Sequence, residues 1–227
     1  MVETKNSVPR FSPVGDHALL VTFDDALTLK AHHCVRTLDE CLGGSPLAGV
    51  TEWIPAYTSL LVLYDPLQVQ RIAVENWVRS CLDSLTTFVN QSANRVEILV
   101  HYGGEDGPDL PFVAEYHGLT PAQVIEKHAE PIYQVGMMGF MPGFAYLLGL
   151  DPALATPRLE TPRTHIPAGS VGIAGQQTGV YPLASPGGWR LIGRTDQVLF
   201  DPQCEPYFRL SPGDEVRFVP ARESRSE

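Results

Sequence analysis

The stretch TPRLETPRTHIPAGSVGIAGQQTGVYPLASPGGWRLIGRT, residues 156–195, decides how the chain is read. From Gly136 to Thr195 there are 11 glycines and 7 prolines, well over twice the roughly 12% of ordinary usage. Both residues stop helices and set turns. The runs between them keep Ile, Val, Leu, Tyr and Trp, so the stretch is not a disordered linker. Short apolar runs such as Ser170–Ala174 and Val198–Phe200 read as strands, and many short strands with Gly/Pro turns predict a β-barrel or sandwich. A last strand is expected at Glu215–Val219, and the charged tail from Ala221 is expected to fray.

Toward the N-terminus the texture changes to alternating strand and helix signals. His17–Phe23 is an apolar run suited to a buried strand. Leu27, Ala31, Cys34, Val35, Leu38, Cys41 and Leu42 recur at helical spacing, between Asp24-Asp25 and Gly43-Gly44. Val50–Pro55 and Ser59–Tyr64 read as a hairpin, and Pro66 opens a helix burying Val69, Ile72, Ala73, Trp77, Cys81 and Leu85. Val96–Tyr102 alternates as a half-buried strand. The order βαββαβ predicts a ferredoxin-like α/β domain over residues 1–95, followed by a barrel domain over residues 96–227. Before the barrel's dense stretch, Thr120-Pro121-Ala122-Gln123 reads as a capping box with proline at the first helical position.

Bulk properties remove several function classes. Sixteen Lys and Arg face 26 Asp and Glu, a net charge of −10, which repels a phosphate backbone. No apolar run approaches the roughly 20 residues needed to span a bilayer. Glu3, Lys5 and Arg10 interrupt the first ten residues, so no secretory signal is read there and a cytoplasmic location is expected. Cys34, Cys41, Cys81 and Cys204 form no CxxC pair and read as core thiols of a reducing compartment. With no HExxH or two-His-one-carboxylate spacing, no metal is expected. Gly169, Gly172, Gly175 and Gly179 do not make a phosphate loop, because no Lys-Ser/Thr pair follows them. Ser170 sits in AGSVG rather than a nucleophile elbow, and a backbone-bonded hydroxyl is expected.

Residues 139–150, GFMPGFAYLLGL, together with the 156–195 stretch, the upstream GPDL at 107–110 and the helix ending near His128, resemble the allophanate hydrolase subunit 1 family. The resemblance is dense over residues 96–202 and follows element order before that. It implies a cyclophilin-like β-barrel in the C-terminal half. It also implies work inside a heteromeric complex, beside a larger family-related C-type subunit and a separate A-type subunit. The activity implied is that of a 5-oxoprolinase complex, which hydrolyses ATP to open the lactam of 5-oxo-L-proline to L-glutamate. ATP belongs to the complex; no cofactor is expected on this chain alone. Two other readings stay open: an inhibitor of a sensor histidine kinase, or one component of another amide- or urea-type hydrolase or carboxyltransferase.

Lactam opening needs an activated carbonyl, a water and a proton for the leaving nitrogen. Residues at matching positions are Asp109, His128 and Arg194 as catalytic candidates, with Arg163 and Arg190 as anion-binding ones. Asp109 is equally readable as a helix cap, and His128 and the arginines as structural. Phe140, Gly143 and Phe144, with Ser185, Gly187, Gly188 and Trp189, form two aromatic turns. They are expected to present rings to a substrate or partner at one mouth of the barrel, or to bury them in its core.

Overall fold

The computed structural model describes residues 9–84 and 94–221. The chain divides into two compact units, one up to Gln91 and one from Ser92. Leu85 and the tail beyond Ala221 lie outside the described residues.

The first unit is a four-stranded antiparallel sheet with two helices. Its strands are β1 (Arg10–Val14), β2 (Ala18–Thr22), β3 (Val50–Pro55) and β4 (Ser59–Tyr64), in the order β1-β2-β4-β3. Alternation puts Leu19 and Val21 of β2 on the same face as Leu60, Val62 and Tyr64 of β4. That face meets Val35, Leu38 and Leu42 of helix α1 (Leu29–Gly44) and Val74, Val78 and Cys81 of helix α2 (Arg71–Ser84). α1 starts after Leu27, because Thr28 Oγ1 accepts the Ala31 amide at 3.2 Å and serves as its cap. α2 starts five residues after Pro66. Residues 65–70 are instead held in a turn by Asp65, which accepts from Leu67 N and Gln68 Nε2. Val74 and Val78 are buried on the inner face of α2, and Ile72, expected inside, is 54% exposed. His32 of α1 is buried as well.

The expected ferredoxin-like order βαββαβ is not confirmed. The unit runs ββαββα, with a first strand that Pro13 disguises by interrupting its pattern. The strand expected to complete the βαββαβ order, β5 (Arg95–Tyr102), belongs to the second unit.

That unit is built on β5, β6 (Tyr133–Met138), β7 (Ala145–Leu148), β9 (Ser170–Ala174), β10 (Gln177–Val180), β12 (Arg190–Arg194) and β13 (Glu215–Pro220). They close into a seven-stranded barrel in the order β10-β7-β6-β13-β5-β12-β9, with β9 returning to β10. β5 and β13 are parallel; the other pairings are antiparallel. A two-stranded ribbon, β8 (Arg163–Ile166) with β11 (Ser185–Gly187), stands apart from the barrel. Ile98, Val100, Val135, Leu147, Val171, Ile173, Ile192 and Phe218 fill the core.

Helices α3 (Leu110–His117) and α4 (Pro121–Ala129) add Val113 and Val124 to it. α4 opens on the expected capping box: Gln123 N donates to Thr120 Oγ1 at 3.2 Å, and Thr120 N donates to Gln123 Oε1 at 2.9 Å. Val198–Phe200, expected as a strand, forms only an isolated bridge from Phe200 to Phe208. Among the described residues no helix is long and apolar enough to cross a membrane.

Candidate functional site

The turn between β6 and β7 carries GFMPGF. Gly139 N donates to Phe144 O and Phe144 N to Met141 O, both at 3.1 Å, which closes the loop on itself. Gly143 has φ +81°, and a Cβ there would lie 2.6 Å from Phe200 Cβ, so only glycine fits without displacing that ring. Phe140 also takes a left-handed backbone, φ +70°, and among the described residues it is the one non-glycine that does so. The ring raised this way is 62% exposed. Phe144, four residues on, is 1% exposed.

The two rings therefore divide the roles that the sequence left open. Phe144 is the centre of an edge-to-face cluster with Tyr146 at 4.7 Å, Tyr181 at 5.2 Å and Trp189 at 5.5 Å. Ile166, Ala174 and Leu191 complete it. Trp189, for which the sequence leaves both the barrel mouth and the core open, is buried in this cluster. Gly187 leaves room for it: a Cβ there would lie 2.6 Å from both Tyr181 Oη and Ile166 Cδ1. Burial pushes the Tyr181 phenol up to about 12, and the phenol bonds the backbone of Trp189. Burial also raises Tyr146, against a lowering influence of Arg158. Ser185 spends its hydroxyl on Pro186 O, and Gly188 accepts from Leu159 N.

Phe140 forms one lip of a groove of about 500 Å³. Met138, Met141 and Pro142 line it from the turn, and Phe208 and Leu210 from the segment before β13. Ser211 is its one polar side chain, and no charged residue lines it. Phe208 itself is 44% exposed, as is Tyr207 beside it.

The polar candidates lie elsewhere. Asp109 stands at the start of α3, yet its side chain makes no cap bond. Oδ2 accepts Leu191 N at 2.7 Å, and Oδ1 accepts Arg163 Nη2 at 2.9 Å. Arg163 also points Nη1 at Trp189 O, 3.5 Å away. This carboxylate–guanidinium pair therefore ties α3, β8 and β12 together. Arg190 lays its guanidinium on the Phe112 ring at 3.8 Å and donates from Nε to Pro157 O. Arg194 is half-exposed, 3.8 Å from Asp106, with its Nε buried and lacking an acceptor.

His128 is wholly buried in the barrel core. Thr178 donates its hydroxyl proton to Gly172 O, so its oxygen accepts from His128 Nε2–H at 2.8 Å. Nδ1 is then the acceptor for Tyr102 O–H at 2.7 Å. Burial drives the imidazole down to about 3 and the Tyr102 phenol well up, so both are neutral. Tyr133 and Phe218 enclose the ring. None of these neighbours belongs to the aromatic cluster, and the side chains of His128, Asp109 and Arg194 each engage different partners. Ser170 donates to Pro167 O, as its turn position suggests. Three residues of the candidate site are not singled out by the sequence alone. Tyr181 lies inside the quoted stretch, whereas Phe208 and Leu210 carry no local pattern that gives a signal.

The family whose description is carboxyltransferase domain, subdomain C and D, matches residues 9–210. The chain is 42% identical over 217 residues to the B subunit of 5-oxoprolinase from Bacillus subtilis (strain 168), covering 91% of this chain and 90% of that one. It is 48% identical over 167 residues to the B subunit of 5-oxoprolinase from Haemophilus influenzae, covering 73% and 74%. The crystal structure of TTHA0988 superimposes with a TM-score of 0.78 at 38% identity over 90% of this chain. This chain spans 40% of that one.

Proposed function

Because the chain belongs to the carboxyltransferase-domain family, in its allophanate hydrolase subunit 1 branch, we propose that it is the B-type subunit of an ATP-dependent 5-oxoprolinase complex. The observation that carries this reading is the 42% identity to a B subunit of 5-oxoprolinase across nine-tenths of both chains. In the assembled enzyme, phosphorylation of the lactam oxygen of 5-oxo-L-proline makes the carbonyl carbon electrophilic. Water then adds, the C–N bond breaks as the nitrogen takes a proton, and a second water hydrolyses the acyl phosphate that results, so that L-glutamate and phosphate leave. A larger related C-type subunit and a separate A-type subunit complete the machine.

The geometry fits a component that does not act by itself. Asp109 and His128, the two candidate proton carriers, have their side-chain bonding groups engaged inside the fold. The groove beneath Phe140 has no cation to hold the carboxylate of the lactam, so it suits an apolar side chain of a partner protein. The test is lactam-dependent ATP turnover by the purified chain, alone and mixed with its A-type and C-type partners. Turnover is expected only in the full mixture. Turnover by the chain alone, or a full mixture that ignores 5-oxoproline while turning over another amide, overturns the proposal.

A further inference from the structure

The C-terminal ends of α1 and α2 meet at one junction. Trp77 Nε1 of α2 donates to Ser45 O, the residue that ends α1, at 2.7 Å. Ser45 Oγ donates back to Cys41 O at 3.2 Å and lies 3.9 Å from Cys81 Sγ. The Cys41 and Cys81 thiols are themselves within hydrogen-bonding reach of each other. Cys81 is buried and Cys41 half-buried at the edge of the same apolar core, and neither is in a disulfide. The proposed enzymatic function uses neither thiol.

We propose that Cys41 and Cys81 are an oxidisable dithiol whose disulfide staples α1 to α2. With hydrogen peroxide as oxidant, the Cys41 sulfur attacks the O–O bond, giving Cys41 sulfenic acid and one water. The Cys81 sulfur then attacks the Cys41 sulfur, the S–O bond breaks, and the hydroxyl leaves with the Cys81 proton as a second water. Two thiols and one peroxide become one disulfide and two waters, the two electrons passing from sulfur to oxygen.

The order of events follows access. Cys41 is the thiol that a diffusing oxidant reaches. Burial pushes the Cys81 thiol up to about 11, which keeps it protonated and slow toward dissolved oxidants. A neighbouring sulfur is a different case, because a held partner acts at an effective concentration far above any soluble one. The bond would replace a non-covalent junction with a covalent one and close a loop containing β3 and β4. That restricts the unfolded chain and raises the melting temperature of the unit.

The experiment treats the full chain with graded hydrogen peroxide, blocks remaining thiols with N-ethylmaleimide, and maps linked peptides by mass spectrometry without reduction. A Cys41–Cys81 linked peptide is expected, reversed by dithiothreitol, together with an upward shift in melting temperature. Its yield should be at least about tenfold higher from native protein than from protein in urea, since proximity is the cause. The Cys34→Ser/Cys204→Ser double variant should give the same link, and Cys41→Ser or Cys81→Ser should abolish it. Native protein that oxidises without this link, pairing through Cys34 or Cys204, or equal yields in urea would each overturn the proposal.

Discussion

His128 and Arg194 are opposite kinds of polar residue, and their predictions separate accordingly. The unfolded chain binds a proton on a histidine at about pH 6.5, whereas folded His128 resists it down to about pH 3. Stability is therefore unaffected by this residue above pH 6.5 and falls as the pH drops below it. The loss is about 2 kcal/mol by pH 5. Thermal melts of wild type and His128→Gln between pH 7 and 5 should converge as the pH falls, because the variant lacks this titration. Parallel curves would mean that the imidazole is not held neutral. Arg194 has no internal bond of comparable strength, only Asp106 at 3.8 Å. Arg194→Ala should change the melting temperature little, a surface pair being worth about 0 to 1 kcal/mol. If the guanidinium binds the anion that develops in lactam opening, turnover of the reconstituted complex falls by about 2 to 4 kcal/mol in activation terms. Unchanged turnover removes Arg194 from the site. A sequence names both residues but not their surroundings: Tyr102 and Thr178, which hydrogen-bond the buried His128, lie 26 and 50 positions away from it.

Elements show the same division between local and distant information. The alternation in β5 marks Ile98 and Val100 as inward and Leu99 as outward, as they are in the fold, because a strand's pleat is a local property. Its place in a sheet is not legible in the same way, since a strand's neighbours are chosen by the rest of the chain, here β12 and β13. The capping box of α4 is legible because all its bonds fall within four residues. The start of α2 is not, because Asp65 diverts the chain into a turn before the helix can begin. The GFMPGF turn combines both cases. Its glycines announce a tight bend, but nothing in the string says that Phe140, rather than Phe144, is the ring left outside. A left-handed phenylalanine costs about 1 to 3 kcal/mol, and its ring recovers only part of that against Phe144 and Tyr181. Phe140→Gly should thus keep the stability of the isolated chain within about 1 kcal/mol, the relieved strain offsetting the lost contact and the freer unfolded chain. Chemical denaturation measures this directly. A loss above about 2 kcal/mol would make the ring a structural support rather than a displayed one.

At the scale of the molecule, each unit closes its own apolar core, and the groove under Phe140 is an uncharged concavity on an otherwise acidic chain. If a partner protein fills it, the Phe140→Gly chain should fail to co-elute with the C-type subunit in size-exclusion chromatography at micromolar concentration, where wild type elutes as a complex. Equal co-elution would move the interface elsewhere. The candidate site is legible in the sequence as a set of aromatic turns, and illegible as a place. Its second wall, Phe208 and Leu210, comes from a segment with no motif of its own. The parallel pairing of β5 with β13 carries a consequence for biosynthesis. Arg95 and Glu215, which join those strands by a 2.8 Å ion pair, are 120 residues apart. At about 5 to 20 residues per second, a ribosome takes on the order of ten seconds to travel from one to the other. For most of that interval β5 has emerged with neither strand neighbour yet made, so the barrel cannot form vectorially behind the ribosome. A nascent chain arrested before Glu215 would hold Ile98 and Val100 without their barrel, and it is at that stage of its life that the protein is most exposed to chaperones and to aggregation.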